Sequence, residues 1–403
     1  MPSVQQLPLE LVLEIMLYVF IDTQGKPHKY FQHFSLVCKA WSPYAQRLLF
    51  RDVRLHDYSK AYNFLRATLP NSVQGSSAER LGNAVHRLEM TTVTKEMRSL
   101  VPYVLRHCPK LYEFRIYTFT DIEVTNILHP PKLTGEKEGS QEFESIPYAS
   151  IPLPQIQAIS IDADVRKSIF LNQIFRIWPT IRHLVLYGAT TFREVASSLR
   201  ETDKTHLVEV QIRKVKLASL GLTPPAGLLM KLLESSLEPI RILDFRGSAH
   251  LEKLDLKKAM TAFGESVRSL RLPKLDRVDL VSAVQQCTSL EELIIDECPL
   301  LGAFTRMKLE NVKHFQVLSL AQSRQSMEPL IKWLETLPSL SVLSWWTRGD
   351  MNDTDMLNLT RFQTFCTEKS IQFRHITSAE DLKEELIDPV SFPREQLMTP
   401  VWR

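Results

Sequence analysis

One string recurs through this chain: an apolar residue, two of any type, a second apolar residue, one of any type, and a third apolar residue. Clear copies stand at Leu111-Phe114-Ile116, Ile156-Ile159-Ile161, Ile181-Leu184-Leu186 and Leu207-Val210-Ile212. Others are Ile240-Leu243-Phe245, Val267-Leu270-Leu272, Leu290-Leu293-Ile295 and Leu340-Leu343-Trp345, with weaker copies beginning at Val85, Val312 and Ile371. From one first apolar residue to the next, the steps are 26, 45, 25, 26, 33, 27, 23, 22, 28 and 31 residues. Alternation at period two within each string predicts a strand. Helical spacing lies between strings, as in Ile169-Phe170-Ile174-Phe175 and Leu330-Ile331-Leu334. A strand-turn-helix unit of this size cannot bury its own apolar face, but stacked neighbours can. The expected fold is therefore α/β, a solenoid with parallel strands on a concave face and helices outside. An ordinary α/β domain with several buried strands is the alternative, and it has no need of a near-constant step.

Most of these steps fall in or near the roughly 20–29 residue period of leucine-rich repeats, and the strings resemble degenerate repeats of that family. Leu290-Glu-Glu-Leu293-Ile-Ile295-Asp-Glu-Cys298 carries the cysteine of the repeat pattern, whereas Ala189 and Val215 stand in that place in other copies. Cys108-Pro109-x-Leu111 and Leu337-Pro338-x-Leu340 lead into strands in the same style. The longest step contains residues 121–150, whose polar Pro-, Gly-, Lys- and Glu-containing stretch predicts a solvated loop insertion. Residues 223–227, Thr-Pro-Pro-Ala-Gly, make a second insertion. In such an array the residues between and just after the last two apolar positions face the concavity. They include Arg115, Tyr117, Tyr187, Arg213, Asp244, Arg246, Arg271, Asp296 and Trp346. Tyr, Trp and Arg are enriched at binding hot spots, so this set is the candidate target-binding face; a solvated strand face is the plainer reading of any one member.

The first 60 residues have a different pattern. Leu7-Pro8 opens a segment whose only polar members up to Phe20 are Glu10 and Glu14. Pro8 suits the first turn of a helix. A helix apolar almost all round needs cover on more than one side. Asp22 to Gln32 is polar, and Phe34 to Trp41 then resumes helical spacing. Ser42-Pro43 predicts an N-cap followed by proline at the first helical position. Tyr44, Ala45, Leu48, Leu49 and Phe50 follow on a third helix, and Arg51 to Leu55 alternates as a short strand. From periodicity alone, this segment serves equally as the cap that seals a repeat array.

The pattern Leu-Pro-x-Glu-Leu at Leu7 to Leu11, then Ile15, then Leu36-Val37-Cys38-Lys39-Ala40-Trp41, Ala45, Leu48-Leu49-Phe50 and Val53 resembles an F-box. That three-helix module docks on the Skp adaptor of SCF ubiquitin ligases. The link from Ile21 to Tyr30 is longer than the family commonly has. The resemblance implies that Leu7, Pro8, Leu11, Ile15, Val37, Cys38, Trp41, Leu48 and Phe50 touch the adaptor. It further implies partners: the Skp adaptor, through it a cullin and a RING protein, and a target protein held by the repeats. The implied function is that of a non-catalytic substrate receptor, and an adaptor-using scaffold or an unrecognised enzyme are the alternatives. The organisation expected is an F-box over 1–55, a linker and first cap helix over 56–80, the repeat array over 81–377, and a final cap helix and tail over 378–403.

Composition supports these readings by what it leaves unsupported. Glycine numbers only 12 in 403 residues, against a usual share of roughly 7%. The phosphate-cradling and nucleophile-elbow patterns G-x-G-x-x-G, G-x-x-x-x-G-K and G-x-S-x-G do not occur. A formal charge of +3 gives no reason to expect nucleic acid. The apolar run Ile15–Ile21 is far below the roughly 20 residues that cross a bilayer, and Glu10 and Glu14 do not suit a secretory signal, so a membrane role is not expected. Five cysteines without C-x-x-C spacing suit a reduced compartment, cytoplasmic or nuclear. His28, His33 and Cys38 do not share a helix face, Asp162-Ala163-Asp164 suits a turn better than a cation site, and no cofactor is expected.

Overall fold

The computed structural model describes residues 8, 11–12, 14–16, 19, 28–37, 41–68, 78–92, 94–118, 151–163, 171–187, 204–213, 228–246, 256–275, 278–297, 304, 307–319, 328–346, 353–376 and 392. The described residues form twelve strands: β1 (Asp52–Leu55), β2 (Arg87–Thr91), β3 (Glu113–Thr118), β4 (Ala158–Ala163), β5 (His183–Tyr187), β6 (Glu209–Arg213), β7 (Ile242–Asp244), β8 (Ser269–Lys274), β9 (Glu292–Glu297), β10 (His314–Ser319), β11 (Val342–Trp346) and β12 (Gln372–Ile376). They form one sheet in chain order, and every described register is parallel. Each of the eleven strings leads into one of β2 to β12. The strand opens two residues after the string's first apolar residue, except at Ile371, where it opens on the next residue. β1 falls on the alternation from Arg51 to Leu55.

Parallel neighbours need a crossover between them, and helices supply it. The described helices are α1 (His28–Val37), α2 (Ser42–Leu49), α3 (Tyr58–Thr68), α4 (Ala78–Ala84), α5 (Lys95–Arg106), α6 (Leu171–Ile177), α7 (Leu228–Ser235), α8 (Leu256–Phe263), α9 (Val278–Gln285), α10 (Glu328–Leu334) and α11 (Asp353–Lys369). Residues 11, 12, 14–16 and 19 are helical as well. Among the described residues, no helix is long and apolar enough to cross a membrane. The insertions at 121–150 and 223–227, Ser378 at the start of the expected cap helix and Asp164 lie outside the described residues, while Asp162 and Ala163, read as part of a turn, end β4.

A repeated backbone device sets the register. One carbonyl accepts two successive N–H groups of the next repeat just before its strand. Arg51 O takes His86 N and Arg87 N, and His86 O takes Tyr112 N and Glu113 N. The same pattern recurs from Arg182 to Val208/Glu209, from Arg241 to Arg268/Ser269 and from Arg268 to Glu291/Glu292. Gly82 and Gly264 serve the tight approach of repeats. A Cβ on Gly82 would lie 2.0 Å from His107 O, and one on Gly264 would lie 2.8 Å from Gln286 O.

The chain divides into two compact units between Asp162 and Ala163. In the first, the N-terminal helical stretch, α1 and α2 close a small core of Val12, Met16, Ala45 and Leu48, with Phe34, Trp41 and Leu49 packed on it. Phe34 and Trp41 meet edge to face at 6.2 Å. α1 starts at His28, earlier than the resumed apolar spacing at Phe34 suggests, and takes in Tyr30 and Phe31. The cap of α2 also differs from expectation. Trp41 occupies the N-cap with no side-chain bond, and Ser42 lies inside the helix. The Trp41 carbonyl takes the Tyr44 and Ala45 amides, so no hydroxyl is needed. In the second unit, Phe304, Phe315 and Trp333 interlock with centroids 4.7–5.9 Å apart. The Trp333 indole donates to Met307 O at 3.0 Å.

Candidate functional site

Two surfaces follow from this framework: the outside of the N-terminal helices, and the sheet face that points away from the apolar core. On the N-terminal helical stretch, Val12 and Met16 point into the core while Leu11 and Ile15 stay 47% and 46% exposed. Both pairs are spaced i,i+4, so each forms its own stripe on the helix. At the end of α1, Leu36 and Val37 are exposed too, Leu36 at 82%. Seven large apolar side chains are exposed among the described residues, and these are four of them. Pro8 is exposed and its carbonyl accepts the Val12 amide at 3.2 Å, which starts the helix. Trp41 and Phe50 are half-buried. Leu48 has no exposed surface and belongs to the module's own core. Leu7 and Cys38 lie outside the described residues.

The sheet face differs between the two units. In the second unit several positions on this face are polar and yet buried, beside apolar ones such as Ile242 and Ile294. Register aligns His183 with Glu209, and Ser269 with Glu292 and His314. His183 Nδ1 lies 2.7 Å from Glu209 Oε2, both side chains fully buried. Gln211 donates to the other Glu209 oxygen. Arg271 donates to Glu292 Oε1 at 2.6 Å, His314 Nδ1 lies 2.8 Å from Glu292 Oε2, and His314 Nε2 lies 2.9 Å from Ser344 Oγ. Arg246 clasps Asp244 through Nε and Nη2. Burial pushes the Glu292 carboxyl up, but Arg271 and His314 outweigh it and hold the group well below its usual range. Of the residues expected on a target-binding face, Asp244, Arg246 and Arg271 are therefore sunk in ion pairs, and Trp346 is buried as well. Tyr187 and Asp296 are half-buried, and the Arg213 side chain lies outside the described residues.

In the first unit the corresponding face stays accessible. Arg115 and Tyr117 are half-buried. Arg87 bonds Glu113 at 2.8 Å and Asp52 at 3.4 Å, and Arg115 bonds Glu113 as well. Burial raises the Glu113 carboxyl, yet Arg87 and Arg115 bring it down to about 2. Below this row, His86 stacks on Tyr112 at 5.0 Å, and burial together with Arg51 and Arg87 depresses it to about 4. Sequence reasoning named neither Glu113, Glu292 nor His314. The available signal was their shared place in the string, two residues after its first apolar member.

The described residues contain no cluster of three His, Cys, Asp or Glu side chains able to hold a metal. Cys108, Cys287 and Cys366 are buried free thiols. Burial pushes Cys287 up to about 12 and Cys366 up to about 11, which keeps both protonated and weakly nucleophilic.

The architecture defines the class: an α/β protein built on one long parallel sheet of twelve strands alternating with helices. Comparison with known protein families finds no family model that matches the sequence, and comparison with curated proteins finds no match either.

Proposed function

We propose that this protein is the substrate receptor of an SCF-type ubiquitin ligase. The N-terminal module is read as an F-box that binds the Skp adaptor, and the parallel repeat array holds a target protein. The observation that carries the reading is the double character of the N-terminal helix. Val12 and Met16 complete a closed core, while Leu11 and Ile15 are left in water. Covering each such side chain is worth roughly 1.5–3 kcal/mol, so a partner has an anchor that folding of the module does not use. The chain then supplies positioning and effective concentration rather than bond chemistry.

The test is co-purification of the full chain with Skp adaptor and cullin. Leu11→Ser/Ile15→Ser should lose the adaptor by about tenfold or more, as hot-spot truncation does, with the melting profile retained. Undiminished adaptor capture by that variant would refute the docking assignment. Adaptor without cullin in native complexes would favour a scaffold over a ligase receptor.

A further inference from the structure

The polar ladder of the second unit is closed on itself, so a target seated there must break buried ion pairs. The face of β1, β2 and β3 that carries Arg54, Glu89 and Arg115 asks for no such rearrangement. Arg54, Glu89 and Arg115 stand at successive register positions. The depth of the charges there is ordered by sign. The Arg54 side chain is 52% exposed and Arg115 29% exposed, whereas Glu89 and Glu113 are 12% and 2% exposed. Cations therefore form the rim and carboxylates the floor. Formal charge on this face nearly cancels, but an approaching chain meets guanidinium groups first.

Glu89 holds the Arg54 and His56 end of this rim loosely. Arg54 Nε reaches Glu89 at 3.9 Å and His56 Nε2 reaches it at 3.6 Å. Both contacts are longer than the roughly 2.7–2.9 Å of a charge-assisted hydrogen bond. Glu113 engages Arg115 through Nε, and a guanidinium carries five N–H donors in a planar fork. We infer that the face of β1–β3 is the seat of the target, and that it takes an acidic, carboxylate-bearing segment of that protein. The inference rests on the receptor reading above and adds where the target sits and what its docking segment is made of.

The probe is a fluorescein-labelled poly-glutamate peptide titrated by anisotropy into the full-length protein, beside poly-glutamine and a phosphoserine-glycine peptide. Poly-glutamate should bind, weaken as salt is raised, and weaken roughly five- to tenfold in Arg54→Gln/Arg115→Gln. Arg54→Gln alone, which leaves the Glu113 network untouched, should weaken it measurably. Lys257→Gln, at an exposed position of α8, should leave it unchanged. Equal binding by wild type and the double variant overturns the site. Equal weakening by Lys257→Gln reduces it to general charge attraction and overturns it too. Response to the phosphoserine peptide alone overturns the carboxylate assignment. The double variant should still capture the Skp adaptor, so failure here and failure of the receptor reading give different results.

Discussion

Replacing Arg271 by methionine removes one buried cation and keeps most of its volume. Arg271 is fully buried. Its Nη2 is 2.6 Å from Glu292, its Nη1 3.8 Å from Asp244, and its Nε 3.2 Å from Ser269 Oγ. Breaking a buried pair by removing one member costs about 3–5 kcal/mol, because the other charge remains without compensation. Asp244 retains Arg246, and Glu292 retains His314 and the Ser269 hydroxyl, which places the expected loss near the lower end, ~3 kcal/mol. Against a usual total of about 5–15 kcal/mol, that loss is easily seen in urea melts followed by tryptophan fluorescence. Arg271→Met/Glu292→Gln should recover a large part of it, since no charge is then stranded. The pH dependence has a definite sign. In the wild type, a carboxyl held below its usual value stabilises the fold above that value and ceases to do so in acid. In Arg271→Met the strongest depressing charge is gone, so Glu292 takes up its proton at a higher pH than in the wild type. The deficit of the variant should therefore shrink as the pH falls. A loss under about 1 kcal/mol, or a deficit that grows in acid, would show that the ladder does not hold the sheet as argued.

Two further outcomes test the first unit and the repeat packing. His86 is depressed from 6.5 to about 4, so the fold favours its neutral form; the stability this confers is complete above pH ~6.5 and is lost progressively as the pH falls toward 4. His86→Phe should abolish that part of the acid sensitivity, read by amide exchange in β2 and β3, and an unchanged acid profile would count against it. Gly82→Ala places a methyl 2.0 Å from His107 O, so a shift of backbone is unavoidable and a melting temperature several degrees lower is expected, with a smaller drop for Gly264→Ala at 2.8 Å; a wild-type melt for Gly82→Ala would refute the close approach.

Strand positions were legible because a parallel, stacked array uses one apolar pattern many times. Each string marks its strand with a nearly constant offset, even at the weak copies beginning with Val85, Val312 and Ile371. The start of α1 was less legible. In His28 to Gln32 the aromatics Tyr30 and Phe31 are adjacent among polar neighbours, which sets no helical period, and Phe34 and Trp41 pack on the module's core. Leu48 shows a different difficulty. An apolar residue on a short helix can serve the module's own core or a partner, and spacing does not tell these apart; only the three-dimensional closure around Val12, Met16 and Ala45 does.

The polar positions show why a residue's type at one place in the chain says little about its exposure. Asp244 and Arg271 read singly as solvent-facing, because charged side chains are seldom fully buried without partners. Asp244 has a local partner in Arg246, but Arg271 finds its carboxylates a repeat away, at Glu292 and Asp244, where no local window reaches. In a parallel array held in register, however, residues at the same place in successive strings are neighbours across the sheet. Two residues after the first apolar member stand His183 and Glu209 in adjacent strings, and Ser269, Glu292 and His314 in three more. Each neighbouring pair matches a donor with an acceptor. Four residues after it stand Asp244 and Arg271, again opposite in sign and adjacent. Chance placement on a solvated face gives no reason for such alternation, since exposed pairs contribute only about 0–1 kcal/mol. Complementarity down aligned strings is thus the sequence signature of a buried ladder. The same test applied to Arg54, Glu89 and Arg115 gives alternating sign as well, but here the rim stays in water. Burial depth, which the sequence does not encode position by position, separates the row that holds the sheet together from the row whose cations stay in water.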